Sequence, residues 1–335
     1  MAMKKSNTEL SKKKIILMAC GLLLLFNIVP IVKYFFGLIK PFIITIRNTS
    51  PIHFTPSIPV PLDSKTISKA IGGVPKVIHQ SWKNKEIPYL FKQWQNTWLS
   101  THKDWEYVLW TDEDNRELVK QHYPWFLRTY DSYAKGVMRA DSARCLYMHR
   151  YGGVYADLDM ESLRPTEDLL RNTIKDASSD KPVAIMGYMS DHFYYEHNVP
   201  NAWMISTPGH PFWLFCLSKM IELEAKGVNG AEYLTGPVML YKAINEYSEI
   251  KTLINGKEQG SITEGENQIH DLIILKPSLI YPISWYRPRS LPRGCESLGG
   301  IELKKSETSR IVRDVDKCKA AFPEAYTITY WTHSW

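Results

Sequence analysis

The sequence predicts an α/β protein in which helices cover a mainly parallel sheet. Between residues 75 and 156, short apolar strands alternate with amphipathic helices, which is the pattern of a sheet built from crossover connections. A helical pattern also runs into Gly152 and Gly153, which are expected to end it before the apolar strand 154–156. A chain of 335 residues can form one large domain or two modest ones around a substantial core.

The first 73 residues are expected to form a tail, a membrane anchor and a stem. Residues 1–14 are polar and carry five lysines, whereas residues 15–32 carry no charge. An apolar run of this length nearly matches a bilayer core, and the preceding lysines favour a cytosolic N-terminus with the globular part, residues 74–335, in the lumen. The second apolar segment, 34–46, would lie at the interface or continue the anchor. Residues 47–73 are proline-containing and read as a stem.

The globular part begins with a short strand within residues 73–82 and a helix at 89–98. Residues 105–110 alternate as a second strand, after which Thr111 or Asp112 is a good N-cap for the next helix. Further strands are expected at 183–186, 202–206, 272–275, 279–281 and 326–330, and further helices at 211–225 and 238–247.

Polar and aromatic side chains occur where three of the predicted strands end. They are residues 79–82, 110–115 and 157–159. In sheets of this kind, ligands bind beyond the carboxyl ends of the strands. The order of elements therefore predicts a binding site at which these three segments meet.

Asp157 and Asp159 follow the strand 154–156 directly. Alternation in a strand sends both side chains to the same side. Two carboxylates there repel each other unless a cation lies between them, and a hard divalent ion such as Mg²⁺ or Mn²⁺ suits their oxygens. The alternative for these three residues alone is a turn whose acidic side chains face water or cap the next helix.

The net charge of +6 is mild and spread along the chain. It offers little support for nucleic-acid binding and is compatible with anionic lipid surfaces or phosphorylated substrates. The five cysteines have no metal-type spacing. Cys20, Cys145 and Cys216 lie among apolar residues and are expected to be buried thiols, whereas Cys295 and Cys318 could pair in an oxidising compartment.

Five stretches, taken in order, carry a family resemblance: 75–82 (PKVIHQSW), 110–112 (WTD), 139–144 (RADSAR), 152–159 (GGVYADLD) and 333–335 (HSW). Over residues 74–335 the chain resembles the DXD-containing retaining glycosyltransferases related to the yeast Golgi initiating α-mannosyltransferase, family 32. Segments 198–204, 208–213 and 234–237 make it most similar to the fungal inositol phosphoceramide mannosyltransferases.

The resemblance implies a GT-A fold, a GDP-mannose donor, Mn²⁺ or Mg²⁺, and transfer of mannose to inositol phosphoceramide with retention at the anomeric carbon. It also implies a small regulatory membrane subunit as partner and a single-pass location in the Golgi membrane or the ER. The alternatives are an N-glycan acceptor and, in another class, a non-catalytic membrane scaffold. A phosphatase with a strand-end DxD nucleophile is disfavoured. Its motif requires Thr or Val at the fifth position counted from the first Asp, and here Glu161 occupies that position counted from Asp157.

The resemblance also implies roles for individual residues. Asp159 would hold the metal, Asp157 would do so directly or through water, and His333 matches a metal ligand near the C-terminus. Asp141 would bind donor sugar hydroxyls and Arg144 the sugar or diphosphate, for which a planar guanidinium is suited. The alternatives are an ordinary intrahelical ion pair for Asp141 and Arg144, and a core position for His333.

His79, Gln80 and Trp82 are expected to line the nucleotide end of the site, although Trp82 could equally fill the core. Asn201 and Gly236 are candidates for the sugar or acceptor side, and Gly236 could instead only set a helix start. Three arginines in the loop 284–294 could meet an anionic headgroup or the membrane, or simply face water.

Overall fold

The computed structural model describes residues 68, 70–174, 182–192, 195–255, 272–284, 318–329 and 331–332, all of which belong to one unit, Ile58–Trp335. The expected tail, anchor and nearly all of the stem lie outside these residues, as do His333, Cys295 and the three arginines of the loop 284–294. In the described ranges, no helix is long and apolar enough to cross a membrane.

A six-stranded sheet has the strand order β2-β1-β3-β6-β5-β7. Strand β6 is antiparallel to both of its neighbours, and the other pairings are parallel, so the predicted mainly parallel sheet is confirmed. The reversal of β6 was not predicted. The strands are β1 (Val77–Ser81), β2 (Glu106–Trp110), β3 (Gly153–Ala156), β4 (Met160–Ser162), β5 (Ala184–Gly187), β6 (Trp203–Ser206), β7 (Leu272–Leu275) and β8 (Thr327–Thr329).

Both faces of the sheet are covered. In β3, Tyr155 packs into one apolar cluster, whereas its neighbours Val154 and Ala156 pack into another, as alternation along a buried strand requires. The helices are α1 (Tyr89–Thr101), α2 (Asp112–His122), α3 (Leu127–Ser132), α4 (Gly136–Arg150), α5 (Thr166–Thr173), α6 (Pro211–Ala225), α7 (Ala231–Leu234), α8 (Pro237–Asn255) and α9 (Pro277–Ile280).

One local prediction, the N-cap at Thr111, is confirmed, and another, the strand at 279–281, is wrong. Thr111 caps α2 as predicted, because its hydroxyl accepts from the Asp114 amide while the Asp114 carboxylate accepts from the Thr111 amide. The expected strand at 279–281 is wrong, since Pro277–Ile280 forms a short helix. Pro277 at the first helical position favours that outcome, and short apolar runs do not separate helix from strand.

The glycine pair between α4 and β3 is required by the backbone. Gly152 and Gly153 have φ values of +66° and +84°, which L side chains rarely adopt. A Cβ atom on Gly152 would lie 2.6 Å from the Ser206 carbonyl oxygen, and one on Gly153 would lie 2.5 Å from that of Val77. The glycines therefore let β3 enter the sheet between β1 and β6, which fixes where Asp157 and Asp159 emerge.

A second, two-stranded sheet brings the C-terminal segment back to this point. Strand β8 pairs antiparallel with β4, which starts directly after Asp159, in the register Met160 with Thr329 and Ser162 with Thr327. Thr332 follows β8 by three residues and donates to Asp159. Residues 327–332 thus fold back onto the acidic pair.

Two histidines are kept in the neutral form by burial. His79 donates from Nε2 to the Gly152 carbonyl and accepts at Nδ1 from the Trp110 indole. His102 lies within bonding distance of the Trp98 carbonyl at Nδ1 and accepts the Thr166 amide at Nε2. Burial lowers the pKa of each to about 4.

Acidification is therefore expected to destabilise the fold through these histidines. Their pKa lies below the unfolded value, so the unfolded chain binds more protons and stability is lost as pH falls from about 6.5 towards 4. Between pH 7 and 5 each would contribute a loss of about 2 kcal/mol. Urea unfolding of the wild type and of a His102→Gln variant at pH 7 and at pH 5 measures this loss of unfolding free energy.

The His102→Gln variant should show a smaller loss than the wild type, by about 2 kcal/mol. A matched control is His192→Gln, which replaces an exposed histidine in place of a buried one. Equal pH dependence in the wild type and His102→Gln would contradict the assignment.

Candidate active site

A cavity of about 250 Å³ lies where the carboxyl ends of β1, β2 and β3 meet the N-terminal half of α4. The predicted convergence of three strand ends is thus confirmed. Its lining residues within the described ranges are Ser81, Trp82 and Lys83 after β1, Asp112 after β2, Tyr155, Asp157, Leu158 and Asp159 around the end of β3, Gly136, Val137, Ala140 and Arg144 of α4, and Phe91 and Thr332.

Asp157 is fixed at both its backbone and its side chain. Its amide donates to the Ala202 carbonyl at 2.8 Å, and Gln80 donates to its carbonyl at 3.2 Å. Oδ1 accepts from the Tyr155 hydroxyl at 2.6 Å and lies 3.1 Å from Arg144 Nη2. Within the described part of the chain, Oδ2 has no hydrogen-bond partner. Burial raises the pKa of Asp157 to about 7, against the opposing charge of Arg144.

Asp159 is also buried, and its bonds come from the C-terminal segment. Its Oδ2 accepts from the Thr332 amide at 3.1 Å and from the Thr332 hydroxyl at 2.9 Å. Burial raises the pKa of this carboxyl, and the two bonds from Thr332 act in the opposite direction. The two carboxylates therefore line one cavity with different supporting groups.

These residues fit a divalent cation. The donors are hard carboxylate oxygens, and the buried Oδ2 of Asp157 lacks a partner among the described atoms, which suits Mg²⁺ or Mn²⁺. In the described ranges no group of three or more His, Cys, Asp or Glu side chains is placed to hold an ion. Two carboxylates suffice where substrate phosphates and water complete the shell, and the expected ligand His333 lies outside the described residues.

Arg144 connects the two acidic centres and is almost fully buried. Its Nη1 lies 3.3 Å from Asp141 Oδ1 and donates to the Asn201 carbonyl at 2.9 Å. Its Nη2 reaches Asp157, and the guanidinium lies 5.0 Å from the centre of the Tyr155 ring. Among the described residues Nε has no partner. The intrahelical ion pair is thus present, but it forms part of a larger network.

Asp141 lies behind Arg144 and is not among the described cavity-lining residues. Its Oδ1 accepts from Asn201 Nδ2 and its Oδ2 from the Thr235 hydroxyl, both at 3.0 Å. With Arg144 this gives each carboxylate oxygen a protein partner. The geometry therefore makes Asp141 a holder of Arg144, and its expected contact with donor hydroxyls remains a proposal.

Asn201 and Gly236 also lie outside the described cavity lining. Asn201 supports Asp141 and Arg144 through its amide and carbonyl groups. Gly236 donates its amide to the Ala231 carbonyl, and a Cβ there would lie 2.9 Å from the Glu232 Cα. Close packing against α7 thus accounts for a glycine at position 236, and its expected role on the sugar or acceptor side stays a prediction.

Of the three residues expected at the nucleotide end, one lines the cavity and two are buried in the sheet. Trp82 lines the cavity and packs edge-on against Phe91 at 5.2 Å. Gln80 is buried between the Tyr107 hydroxyl and the Asp157 carbonyl. His79 is fully buried, with both ring nitrogens bonded inside the protein. The expectation that His79 and Gln80 line the site is corrected, because β1 continues past them to Ser81.

Two residues at the acidic pair were not predicted. Tyr155 stands two residues before Asp157, so strand alternation was a signal that both share a side. Thr332 reaches Asp159 only because β8 pairs with β4, and no local sequence pattern predicts that pairing.

The cysteines are only partly described. Cys145 and Cys216 are buried free thiols, as predicted. Cys318 is disulfide-bonded, and its pairing with Cys295 stays a prediction.

Comparison with known proteins supports the resemblance to a glycosyltransferase family. Residues 88–179 match the glycosyltransferase sugar-binding region containing DXD motif, and this segment includes α4, β3 and both carboxylates. Over this segment the chain is similar to the DXD-containing glycosyltransferases. The resemblance inferred from the sequence motifs is confirmed.

Similar curated proteins are fungal mannosyltransferases. Inositol phosphoceramide mannosyltransferase 3 of Schizosaccharomyces pombe is 40% identical over 37% of this chain and 36% of its own length. Mannosyl phosphorylinositol ceramide synthase SUR1 of Saccharomyces cerevisiae is 36% identical over 55% of this chain and 45% of its own. Initiation-specific alpha-1,6-mannosyltransferase of Candida albicans is 30% identical over 30% of this chain and 28% of its own. The matches span less than half the length of these relatives.

Proposed function

We propose that this glycosyltransferase is a metal-dependent, retaining mannosyltransferase that transfers mannose from GDP-mannose to the inositol of inositol phosphoceramide, forming mannosylinositol phosphoceramide. One observation carries the proposal. The residues Asp157, Asp159 and Arg144 line one cavity, where Oδ2 of Asp157 and Nε of Arg144 have no partner among the described atoms. A sugar-nucleotide donor brings both a cation to bind the first and phosphate oxygens to accept from the second.

The residues divide the work along the cavity. When bound at Asp157 and Asp159, Mn²⁺ or Mg²⁺ supplies charge that stabilises the departing diphosphate. Arg144 keeps its positive charge beside the same phosphates, because Asp141 and Asp157 hold its guanidinium in place. Trp82, supported by Phe91, offers an aromatic surface for the base at the β1 end. A GT-A arrangement of the sheet belongs to the same proposal.

Retention can arise by a double displacement or by a same-face route, and the roles assigned to the carboxylates of this cavity favour the same-face route. Of the carboxylates in the described lining, Asp157 and Asp159 are assigned to the cation, and Asp112 follows β2. Asp141 has protein partners on both oxygens. A route in which an oxygen of the leaving phosphate takes the proton of the acceptor hydroxyl needs no additional carboxylate. We propose that route over a double displacement.

We propose inositol phosphoceramide as the acceptor because two similar proteins are named for it. The expected membrane anchor would hold the site beside such a lipid. A Golgi or ER location and a small regulatory membrane subunit are part of the proposal on the same footing. An N-glycan acceptor is the second candidate, favoured by similarity to the initiation-specific enzyme.

Microsomes from cells expressing the full chain test the proposal directly. They receive labelled GDP-mannose with either inositol phosphoceramide or an N-glycan, with chelator, and with chelator followed by excess Mn²⁺. We expect label in the lipid, a fall of about 100-fold or more with chelator, and recovery with Mn²⁺, because the cation contributes several kcal/mol to the transition state.

Microsomes that carry the Asp157→Asn, Asp159→Asn double variant are the matched control. Label in the glycan alone would replace the lipid by the second acceptor. No label above this control in any arm would leave the non-catalytic scaffold as the better hypothesis.

A further inference from the structure

We propose that Tyr155 and Thr332 are positioning residues that fix the rotation of the Asp157 and Asp159 carboxylates and thereby set the cation affinity of the site. The inference rests on the proposed function, because it concerns the same cation. It assigns to a strand tyrosine and a C-terminal threonine a role that the acidic pair alone does not explain.

A bonded hydroxyl matters at Asp157 because the terminal torsion of aspartate is broad and nearly two-fold. Without fixed partners the plane of its carboxylate would turn over this broad range. The Tyr155 hydroxyl and Arg144 Nη2 both contact Oδ1, and Oδ2 is left without a partner among the described atoms. These two contacts therefore fix the plane of the carboxylate and leave one oxygen available to a ligand.

The Tyr155 ring is itself well held. It is 1% exposed, and its centre lies 6.1 Å from that of Tyr147 within one apolar cluster. Arg144 lies over its face at 5.0 Å. A rigid ring places its hydroxyl more reproducibly than a flexible side chain could. The packing of the Tyr155 ring therefore also restricts the orientation of the Asp157 carboxylate.

Thr332 acts on Asp159 with two donors from one residue. Its amide and its hydroxyl both donate to Oδ2, which fixes that oxygen and the plane of the carboxylate. The preceding residue, Trp331, has a left-handed φ of +51°, a conformation that costs about 1–3 kcal/mol and persists only where neighbours impose it.

The neighbours that hold Trp331 are in the core. Its indole donates to the Ile283 carbonyl at 2.8 Å, and its ring stacks on Tyr281 at 5.7 Å with 23° between the planes. This anchoring turns the chain so that the next amide points at Asp159. The strained residue thus has a consequence at the site, which is the orientation of Thr332.

A merely structural role for these bonds would change stability but not cation affinity. Removing a group that hydrogen-bonds to a metal-ligating side chain usually weakens metal affinity about 10- to 100-fold. Affinity for Mn²⁺ therefore separates the two roles.

The test uses the purified full-length chain in detergent, with Mn²⁺ titrated in the presence of GDP and free Mn²⁺ followed by electron paramagnetic resonance. Tyr155→Phe and Thr332→Val are each expected to weaken Mn²⁺ binding about 10-fold or more. Thr332→Ser keeps the hydroxyl and should bind Mn²⁺ like the wild type.

Two control variants remove buried hydroxyls elsewhere. Tyr123→Phe loses a bond to His149 and Thr207→Val loses bonds to Val183, and neither should change Mn²⁺ binding. If Tyr155→Phe does not fold, the comparison of Thr332→Val with Thr332→Ser still decides for the C-terminal residue.

The outcomes separate this inference from the proposed function. Unchanged binding in Tyr155→Phe and Thr332→Val, with binding lost in Asp157→Asn, Asp159→Asn, would overturn the positioning role and leave the cation site standing. Equal losses in the control variants would also overturn it. Binding that survives in the carboxylate double variant would instead refute the proposed cation site.

Discussion

The Asp159→Asn variant is expected to lower the proposed mannose transfer at least about 100-fold without lowering the free energy of unfolding. Activity falls because the amide removes a negative oxygen from the proposed cation site. Stability is kept because Asn retains an oxygen that can accept from Thr332. Burial also raises the pKa of the Asp159 carboxyl, so the native fold disfavours its charged form and replacement removes that cost.

Labelled transfer in microsomes and urea unfolding of the purified variant at pH 7 give the two readouts. Asp168→Asn is the matched control, because Asp168 is a half-exposed residue of α5 that lies outside the described cavity lining, so its exchange should leave transfer unchanged and alter stability by less than about 1 kcal/mol. Wild-type transfer by Asp159→Asn would refute its role. A parallel loss of about 2 kcal/mol or more in stability would make the activity loss structural.

The acidic pair could be predicted from the sequence because its signals are local. The two glycines require a backbone that other residues rarely adopt, and the apolar strand after them alternates in a fixed way. Such constraints act within a few residues. They therefore place Asp157 and Asp159 at a strand end before any tertiary contact is known.

The error at His79 came from a strand boundary. Residues 79–82 were treated as the end of β1, but the strand continues to Ser81, so of these four residues Ser81 and Trp82 line the cavity and His79 and Gln80 do not. His79 and Gln80 are strand interior, where their polar atoms need partners inside the protein. Strand ends depend on which neighbours supply hydrogen bonds, and a single sequence does not contain that information.

The parts that could not be predicted depend on pairings between distant segments. Met160–Ser162 is too short to read as a strand and is stabilised by β8, which lies far along the chain. Thr332 gains its position from that pairing, and Asn201, two residues before the reversed β6, accepts from Arg144. Long-range pairing of this kind follows from packing energetics and leaves no periodic trace.

Arg144→Met is expected to lower the free energy of unfolding by about 3–5 kcal/mol and transfer by about 100-fold or more. The variant removes the positive charge between Asp141 and Asp157, which are both buried and both rely on it. Two carboxylates would then lie in the core without a cationic partner. Arg144→Lys tests the same idea with the charge kept, since one ammonium cannot reproduce the two-sided contact.

The control is Arg116→Met, which also breaks a two-point bond to a carboxylate but at the surface. Arg116 contacts Asp131 at 2.9 and 2.8 Å, and both side chains are at least 40% exposed. Solvent screens such a pair, so the loss should stay below about 1 kcal/mol. Equal losses in Arg116→Met and Arg144→Met would contradict the central role given to Arg144.

Combining Arg144→Met with Asp157→Asn separates stability from function. Removing one of the two orphaned charges should restore part of the unfolding free energy, because an amide costs less to bury than a carboxylate. Transfer should stay abolished, since the same exchange removes an oxygen from the proposed cation site. Recovery of stability without recovery of transfer would mean that Arg144 stabilises the fold by compensating the buried charges of Asp141 and Asp157.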